Sequence, residues 1–165
     1  MGDLEQVHLK VNEVFYPSEE LKKECLVQDY ESMYQKSIEN PDEFWSEVAS
    51  ELFWYQKWDR VLEWNFPYAK WFVNGKTNIT YNCLDRHVEN GRRNKLAFIS
   101  VDEEGNEKKL TYGELLESVS KLANGLKSLG LSKGDRVSIY LPNTVEAVIA
   151  MLACARIGVI HSVVF

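Results

Sequence analysis

The stretch from residue 147 to residue 165 constrains the fold more than any other, because it is apolar apart from Arg156, His161 and Ser162 and is divided by Gly158. Residues 147–155 are apolar all round, as in a helix buried on more than one side. Residues 159–165 read as the near-continuous apolar strand of a parallel sheet covered on both faces. Just upstream, residues 136–141 alternate Val137, Ile139 and Leu141 as a strand, and Pro142 stops it. Asn143 or Thr144 then caps a helix that runs to Ile157 and closes at Gly158. Farther back, Leu96–Val101 and residues 108–110 flank a Gly-containing turn and form a hairpin. Thr111-x-x-Glu114 is a capping box, opening a helix with Leu115, Val119, Leu122, Ala123, Leu126 and Leu129 on one face and Gly130 as its left-handed end. The order β-β-α-β-α-β, with right-handed crossovers, predicts a layered α/β domain with a largely parallel sheet. A strand as apolar as 159–165 needs cover on both faces and partners at both edges, so the expectation is a truncated piece of a longer α/β protein. Residues 95–165 begin its α/β domain and residues 1–94 form a helical, aromatic-rich N-terminal extension.

Within that extension, residues 18–24 and 28–39 read as polar helices. Asn40-Pro41-Asp42-Glu43 is a start signal, with Asn40 as cap, Pro41 at the first helical position and Glu43 closing a capping box. The helix that follows carries Phe44, Val48 and Leu52, flanked by Trp45, Ala49 and Phe53, through about Tyr55. All five tryptophans lie between Trp45 and Trp71, and eleven of the twenty aromatic residues lie between Phe44 and Phe72. Such a block is either an aromatic binding surface or a packing surface for a neighbouring domain. Packing is the commoner use of large rings and is the reading adopted. Asn74-Gly75 reads as a tight turn and residues 77–81 as a short strand.

Composition then removes several classes of function. With 165 residues, 45% of them hydrophobic, the chain can bury roughly 70% of its unfolded surface without covalent staples. Cys25, Cys83 and Cys154 are odd in number and contain no C-x-x-C pair, so they offer neither a disulfide framework nor a zinc-ligand set, and a cytoplasmic setting is expected. No apolar run reaches 18 residues and the start is acidic, so neither membrane nor secretion is expected. Residues 1–64 hold 15 acidic against 6 basic residues, whereas the remainder holds 10 against 13. An acidic surface without a basic stripe is a poor partner for nucleic acid.

Chemistry is harder to find. Gly75-Lys76-Thr77 ends like a phosphate-binding loop, but the first glycine of that motif falls on Lys70. Gly125, Gly130 and Gly134 lack dinucleotide-fingerprint spacing. His8, His87 and His161 form no metal-binding pattern. Asp85-Arg86-His87 groups an acid, a guanidinium and an imidazole. Neighbours on a regular element do not face one point, so a local salt-bridged cap is expected there instead of a catalytic trio. The basic stretch 91–95 is either a phosphate contact or a solvated turn, and the second is expected. No catalytic residue and no metal ligand is assigned.

Several segments taken together nevertheless carry a resemblance. Residues 71–78 (WFVNGKTN), 81–87 (YNCLDRH), 110–115 (LTYGEL), 133–137 (KGDRV) and 150–158 (AMLACARIG), followed by HSVVF at 161–165, resemble the N-terminal part of acetyl-coenzyme A synthetases, in the adenylate-forming acyl-CoA synthetase superfamily. The resemblance covers residues 41–165 well and 1–40 loosely. It implies an AMP-forming ligase that joins a carboxylate to ATP and passes the acyl group to coenzyme A, with magnesium assisting. ATP, coenzyme A, acetate or another short carboxylate, and the remaining part of the synthetase chain are therefore the implied partners. The resemblance puts the phosphate loop, nucleotide contacts and catalytic lysine beyond Phe165, so the 165 residues alone are expected to be inactive. It aligns Phe165 with a phenylalanine beside which the coenzyme A pantetheine passes. Asn74-Gly75 stands where relatives have Gly-Gly, and Asn143-Thr144 where they have an apolar pair; both changes keep a turn and a capped helix. Acetate is the implied substrate, with propionyl or hydroxyacyl specificity and a catalytically silent binding module as alternatives.

Overall fold

The computed structural model describes residues 14–164. Its contacts divide the chain into two units, Met1–Phe44 and Trp45–Phe165. In the first, Ser18 accepts a bond from the Leu21 N–H (3.2 Å) and starts α1, Glu19–Glu24. Asp29 accepts one from the Ser32 N–H (3.0 Å) and starts α2, Tyr30–Glu39. Neither helix buries a residue, in keeping with their polar sequences.

Helix α3, Pro41–Ser50, begins where Asn40 predicts. Asn40 Oδ1 accepts from the Glu43 N–H at 3.4 Å. The reciprocal half of the capping box is altered: Glu43 accepts from the Asn40 side-chain amide (2.7 Å), because the Asn40 backbone N–H is already bonded to the Lys36 carbonyl. The helix also ends before the expected Tyr55. The Glu51 and Leu52 N–H groups tighten onto the carbonyls of Val48 and Ala49, and the Trp54 indole N–H donates to the Ala49 carbonyl (2.8 Å), turning the chain.

The second unit opens with an antiparallel hairpin that the sequence reading did not find, β1 (Arg60–Asn65) and β2 (Tyr68–Val73), with Arg60 opposite Val73 and Asn65 opposite Tyr68. Ala49, Trp58 and Val61 are buried beneath it, with Trp54 and Phe72 packed against them. The Trp54 and Trp58 rings meet edge-on at 4.9 Å and the Trp58 and Phe72 rings at 5.0 Å. The aromatic block therefore builds a small core of its own. Trp64, Phe66 and Tyr68 remain exposed at the far end of the hairpin.

Residues 77–81 do not form the expected strand. Lys76 bridges to Gln56, and the chain then turns helical, with a π-helical segment at Tyr81–Asp85 and a second at Val88–Arg92 that is kinked by the non-helical Asn90 and Gly91. The alternation of Ile79 and Tyr81 misleads because the inward residues are polar: Thr80 is 1% and Asn82 5% exposed. Asn82 accepts from the Phe53 N–H (2.8 Å) and donates to the Phe53 carbonyl and Thr77 hydroxyl (both 3.1 Å), so a distant loop satisfies it.

From residue 96 onward the structure follows the sequence closely. Strands β3 (Leu96–Val101) and β4 (Glu107–Thr111) pair antiparallel. Helix α4, Tyr112–Ser128, has the full capping box: the Glu114 N–H donates to the Thr111 hydroxyl and the Thr111 N–H to the Glu114 carboxylate (2.8 Å). Strand β5 (Arg136–Tyr140), helix α5 (Val145–Ile157) and strand β6 (Ile160–Val164) make a β-α-β unit whose strands pair parallel, Arg136 opposite Ile160 and Tyr140 opposite Val164. Gly158, at φ 75°, supplies the left-handed residue that ends α5.

The main core joins Leu84, Leu115, Val119, Ala123 and Ala153. Ile139, Cys154 and Val159 form a second cluster under the parallel pair. Adjacent residues Ala153 and Cys154 thus enter different clusters, which is how an all-apolar helix is buried on two sides. Among the described residues the strands form three two-stranded sheets, of which β5–β6 is the parallel one. The architecture is mixed α/β, with the expected broader parallel sheet represented by this single pair.

Candidate functional site

In open α/β folds, ligands bind outside the carboxyl ends of parallel strands, where the loops before the next helices gather. Here those ends are Tyr140 and Val164, and the loop 141–144 leads into α5. A cleft of about 430 Å³ lies at this place. It is lined by Phe98 and Val101 of β3, Pro142 and Thr144 of the loop, Met151 of α5 and Val163 of β6. Ser100, Asn143 and Thr144 bring side-chain polar groups to an otherwise apolar surface.

Thr144 is the N-cap residue of α5, yet its hydroxyl makes no capping bond to the helix backbone. On the first turn, Glu146 bonds to Lys108 of β4. That bond, with backbone and Thr144 hydrogen bonds, lowers the Glu146 carboxyl to about 2. The pair ties the hairpin to the start of α5. The lining residues include no His, Cys, Asp or Glu, the side chains that most often move protons. The sequence presented Asn143 and Thr144 only as alternative caps. The signal that places them at the cleft is their position after a parallel strand, which depends on pairing.

Phe165, aligned by resemblance with the pantetheine channel, lies outside the described residues. The Asp85-Arg86-His87 cluster is described, and its members diverge. Asp85 takes both guanidinium nitrogens of Arg156, at 2.8 and 2.9 Å. Arg86 donates to the Glu51 carbonyl (3.0 Å), and the His87 ring rests 5.3 Å from that of Tyr112. The absence of a common focus agrees with expectation, but the local cap does not: the acid pairs with the last turn of α5, far along the chain. Asn78 reinforces that joint by donating to the carbonyls of Ala155 (3.4 Å) and Arg156 (3.0 Å). These groups gather at the end of α5 opposite the cleft.

The Gly75-Lys76-Thr77 turn has no cradle for a phosphate. The Gly75 N–H is bonded to the Phe72 carbonyl (2.9 Å), the Lys76 N–H to the Gln56 carbonyl (2.8 Å), and a Cβ on Gly75 would stand 2.7 Å from the Trp54 ring. Among the described residues no group of three or more His, Cys, Asp or Glu side chains is placed to hold a metal ion. Among the described residues, neither this turn nor a cluster of carboxylates offers a site for magnesium or a nucleotide phosphate.

Comparison with known proteins places the chain in a family. Residues 30–83 match the acetyl-coenzyme A synthetase N-terminus family, and residues 84–165 match the AMP-binding enzyme family. The acetyl-coenzyme A synthetase of Chlorobaculum tepidum is 54% identical over 139 residues, 84% of this chain. This chain belongs to the acetyl-coenzyme A synthetase family. It is similar to the N-terminal region of those proteins and to the start of the AMP-binding domain that follows it. The enzyme of Deinococcus radiodurans is 52% identical over 92% of this chain. The chloroplastic/glyoxysomal acetyl-coenzyme A synthetase of Arabidopsis thaliana is 49% identical over 93%. Among solved structures, acetoacetyl-CoA synthetase from Streptomyces lividans superposes with a TM-score of 0.75 and 32% identity over 82% of the chain. In each case the match covers less than a quarter of the relative: 21%, 24%, 22% and 21%. No helix among the described residues is long and apolar enough to cross a membrane.

Proposed function

We propose that this chain is the N-terminal part of an acetate:CoA ligase of the AMP-forming kind, acting in the cytoplasm. Such an enzyme condenses acetate with ATP to acetyl-adenylate, releases pyrophosphate, and transfers the acetyl group to coenzyme A with loss of AMP. The observation that carries this reading is the pair of consecutive family matches, residues 30–83 and 84–165, in one chain about half identical to acetyl-coenzyme A synthetases. In this reading residues 1–94 are the extension and residues 95–165 the start of the adenylate-forming domain. The parallel β5–β6 pair is the seed of its wider sheet. Exposure of Tyr140, Ile160 and Val164 supports this, since they present apolar surface for further elements to cover.

This part supplies position, not chemistry. The cleft beyond β5 and β6 is one wall of a ligand site, and Phe165 lies beside the coenzyme A path. Magnesium, which these residues do not hold, would supply neutralisation of phosphate charge in the complete enzyme. The 165 residues alone form no acyl-adenylate.

The test is acetate-dependent exchange of labelled pyrophosphate into ATP, followed by acetyl-CoA formation, run on the full-length protein and on this chain. Exchange by the full-length protein and none by the chain is expected. No exchange by the full-length protein with acetate overturns the reading, and exchange by the chain overturns its inactivity. Because the solved structure is of an acetoacetyl-CoA synthetase, propionate and acetoacetate are run alongside acetate. A higher kcat/KM for either moves the specificity away from acetate.

A further inference from the structure

A second cavity, of about 630 Å³, adjoins the carboxyl-end cleft and shares Phe98, Val148 and Met151 with it, but extends toward Tyr81–Asp85 and α4. Leu52, Ile79, Phe98, Tyr112, Met151 and Leu152 give it an apolar lining. Arg86 is the one charged residue in that lining, and no carboxylate belongs to it. The Arg86 guanidinium donates to the Glu51 carbonyl, leaving most of its five N–H groups for another acceptor. His87 also reaches the cavity. Its Nδ1 lies 3.5 Å from an Arg92 guanidinium nitrogen, which as a donor leaves the ring proton on Nε2. Burial, with Arg86 and Arg92 nearby, lowers the His87 pKa and favours this neutral form. Asn82 adds no further donor, because its carboxamide is engaged by Phe53 and Thr77.

An apolar chamber whose lining carries one cation, a second N–H donor and no acid is complementary to an amphipathic anion. We propose that it binds a straight-chain aliphatic carboxylate of about eight to twelve carbons, a length suited to a pocket of several hundred cubic ångströms. The tail lies between Phe98, Met151 and Leu152, and the carboxylate bonds to Arg86 and His87. This site borders the carboxyl-end cleft, but the argument for it does not depend on the acetate-activating reading.

Calorimetric titration of decanoate into the full-length protein, and into this chain, tests the proposal. Saturable binding at one site in both is expected. Decanol, which has the tail without the charge, binds at least about tenfold more weakly, the factor that loss of a charge-assisted hydrogen bond produces. Arg86→Gln weakens decanoate by the same factor, and Arg86→Lys retains most of the affinity. Val148→Trp, which fills the chamber, removes binding while the far-ultraviolet circular dichroism is kept. Carboxylate binding beside His87 raises its proton affinity, so near pH 6 the heat depends on the buffer's ionisation enthalpy in the wild type and not in His87→Gln. Facing His87 there are the cations Arg86 and Arg92 and the Tyr112 ring. Binding by this chain but not by the full-length protein shows that other residues fill the chamber and overturns the proposal. Equal affinity for decanol, or unchanged affinity in Arg86→Gln, overturns it as well. Pyrophosphate exchange with acetate is measured separately, and its failure leaves the decanoate result standing.

Discussion

Residues 45–94 and 95–164 belong to one unit but are held by different physics. The later region is assembled from local signals: a reciprocal capping box at Thr111 and Glu114, a left-handed glycine after each helix, and aliphatic faces at helical spacing. The earlier region is held by bonds between residues far apart in sequence. Asn82 reaches Phe53, Asn78 reaches the end of α5, and Asp85 grips Arg156. The difference shows where a fold is written locally and where it depends on the rest of the chain being in place.

Truncating the shared core is the severest way to break this comparison. Leu84, from the earlier region, and Leu115, from the later, are both fully buried in one cluster. Each Leu→Ala change is expected to cost about 2–5 kcal/mol in urea denaturation. A cost under about 1 kcal/mol for Leu84→Ala would show that the regions do not share a core.

The long-range polar joint should matter less. Asp85 and Arg156 side chains are 16% and 28% exposed, so Asp85→Asn leaves a half-buried guanidinium without its counterion, a loss of about 1–3 kcal/mol. Arg156→Gln added to it should recover part of the loss. Strict additivity in the double-mutant cycle would show the joint to be idle. Local capping comes next: Thr111→Ala is expected to cost about 1 kcal/mol by the same measurement.

The surface pair Lys108–Glu146 is the weakest element, worth a few tenths of a kcal/mol at neutral pH. Because the folded carboxyl is lowered to about 2, its contribution is present above the ordinary carboxylate range and declines as pH falls toward 2. The stability difference between wild type and Glu146→Gln should therefore be largest at neutral pH and vanish near pH 2. A difference that grows on acidification would reverse the assignment. Tryptophan fluorescence sharpens the contrast inside the aromatic block. Trp64 is 66% exposed and Trp58 9%, so acrylamide should quench a Trp64-only variant severalfold more strongly than a Trp58-only variant. In the full-length protein the Trp64 signal should become shielded, as expected if the hairpin end packs on the rest of the synthetase.

The sequence by itself determined the elements from residue 96 onward, because most of their starts and stops are enforced by near neighbours: the start of α4 by Thr111 and Glu114, and the ends of α4 and α5 by Gly130 and Gly158. It also carried the family resemblance, since the segments at 71–87 and 150–165 can be read without knowing that Asp85 of one clasps Arg156 of the other. Only the tertiary structure decided the β1–β2 hairpin, where aliphatic, aromatic and charged residues mix without a strict alternation and Trp58 and Val61 go inward because Ala49 and Phe72 are there to meet them. It likewise decided the helical course of residues 79–92, where the inward side chains Thr80 and Asn82 are polar and are stable inside only once Asn78 and the Phe53 loop supply their partners. The cleft at Thr144 belongs to the same class. A helix cap is a local fact, but the cleft exists only when two parallel strands pair and bring their carboxyl ends to one side.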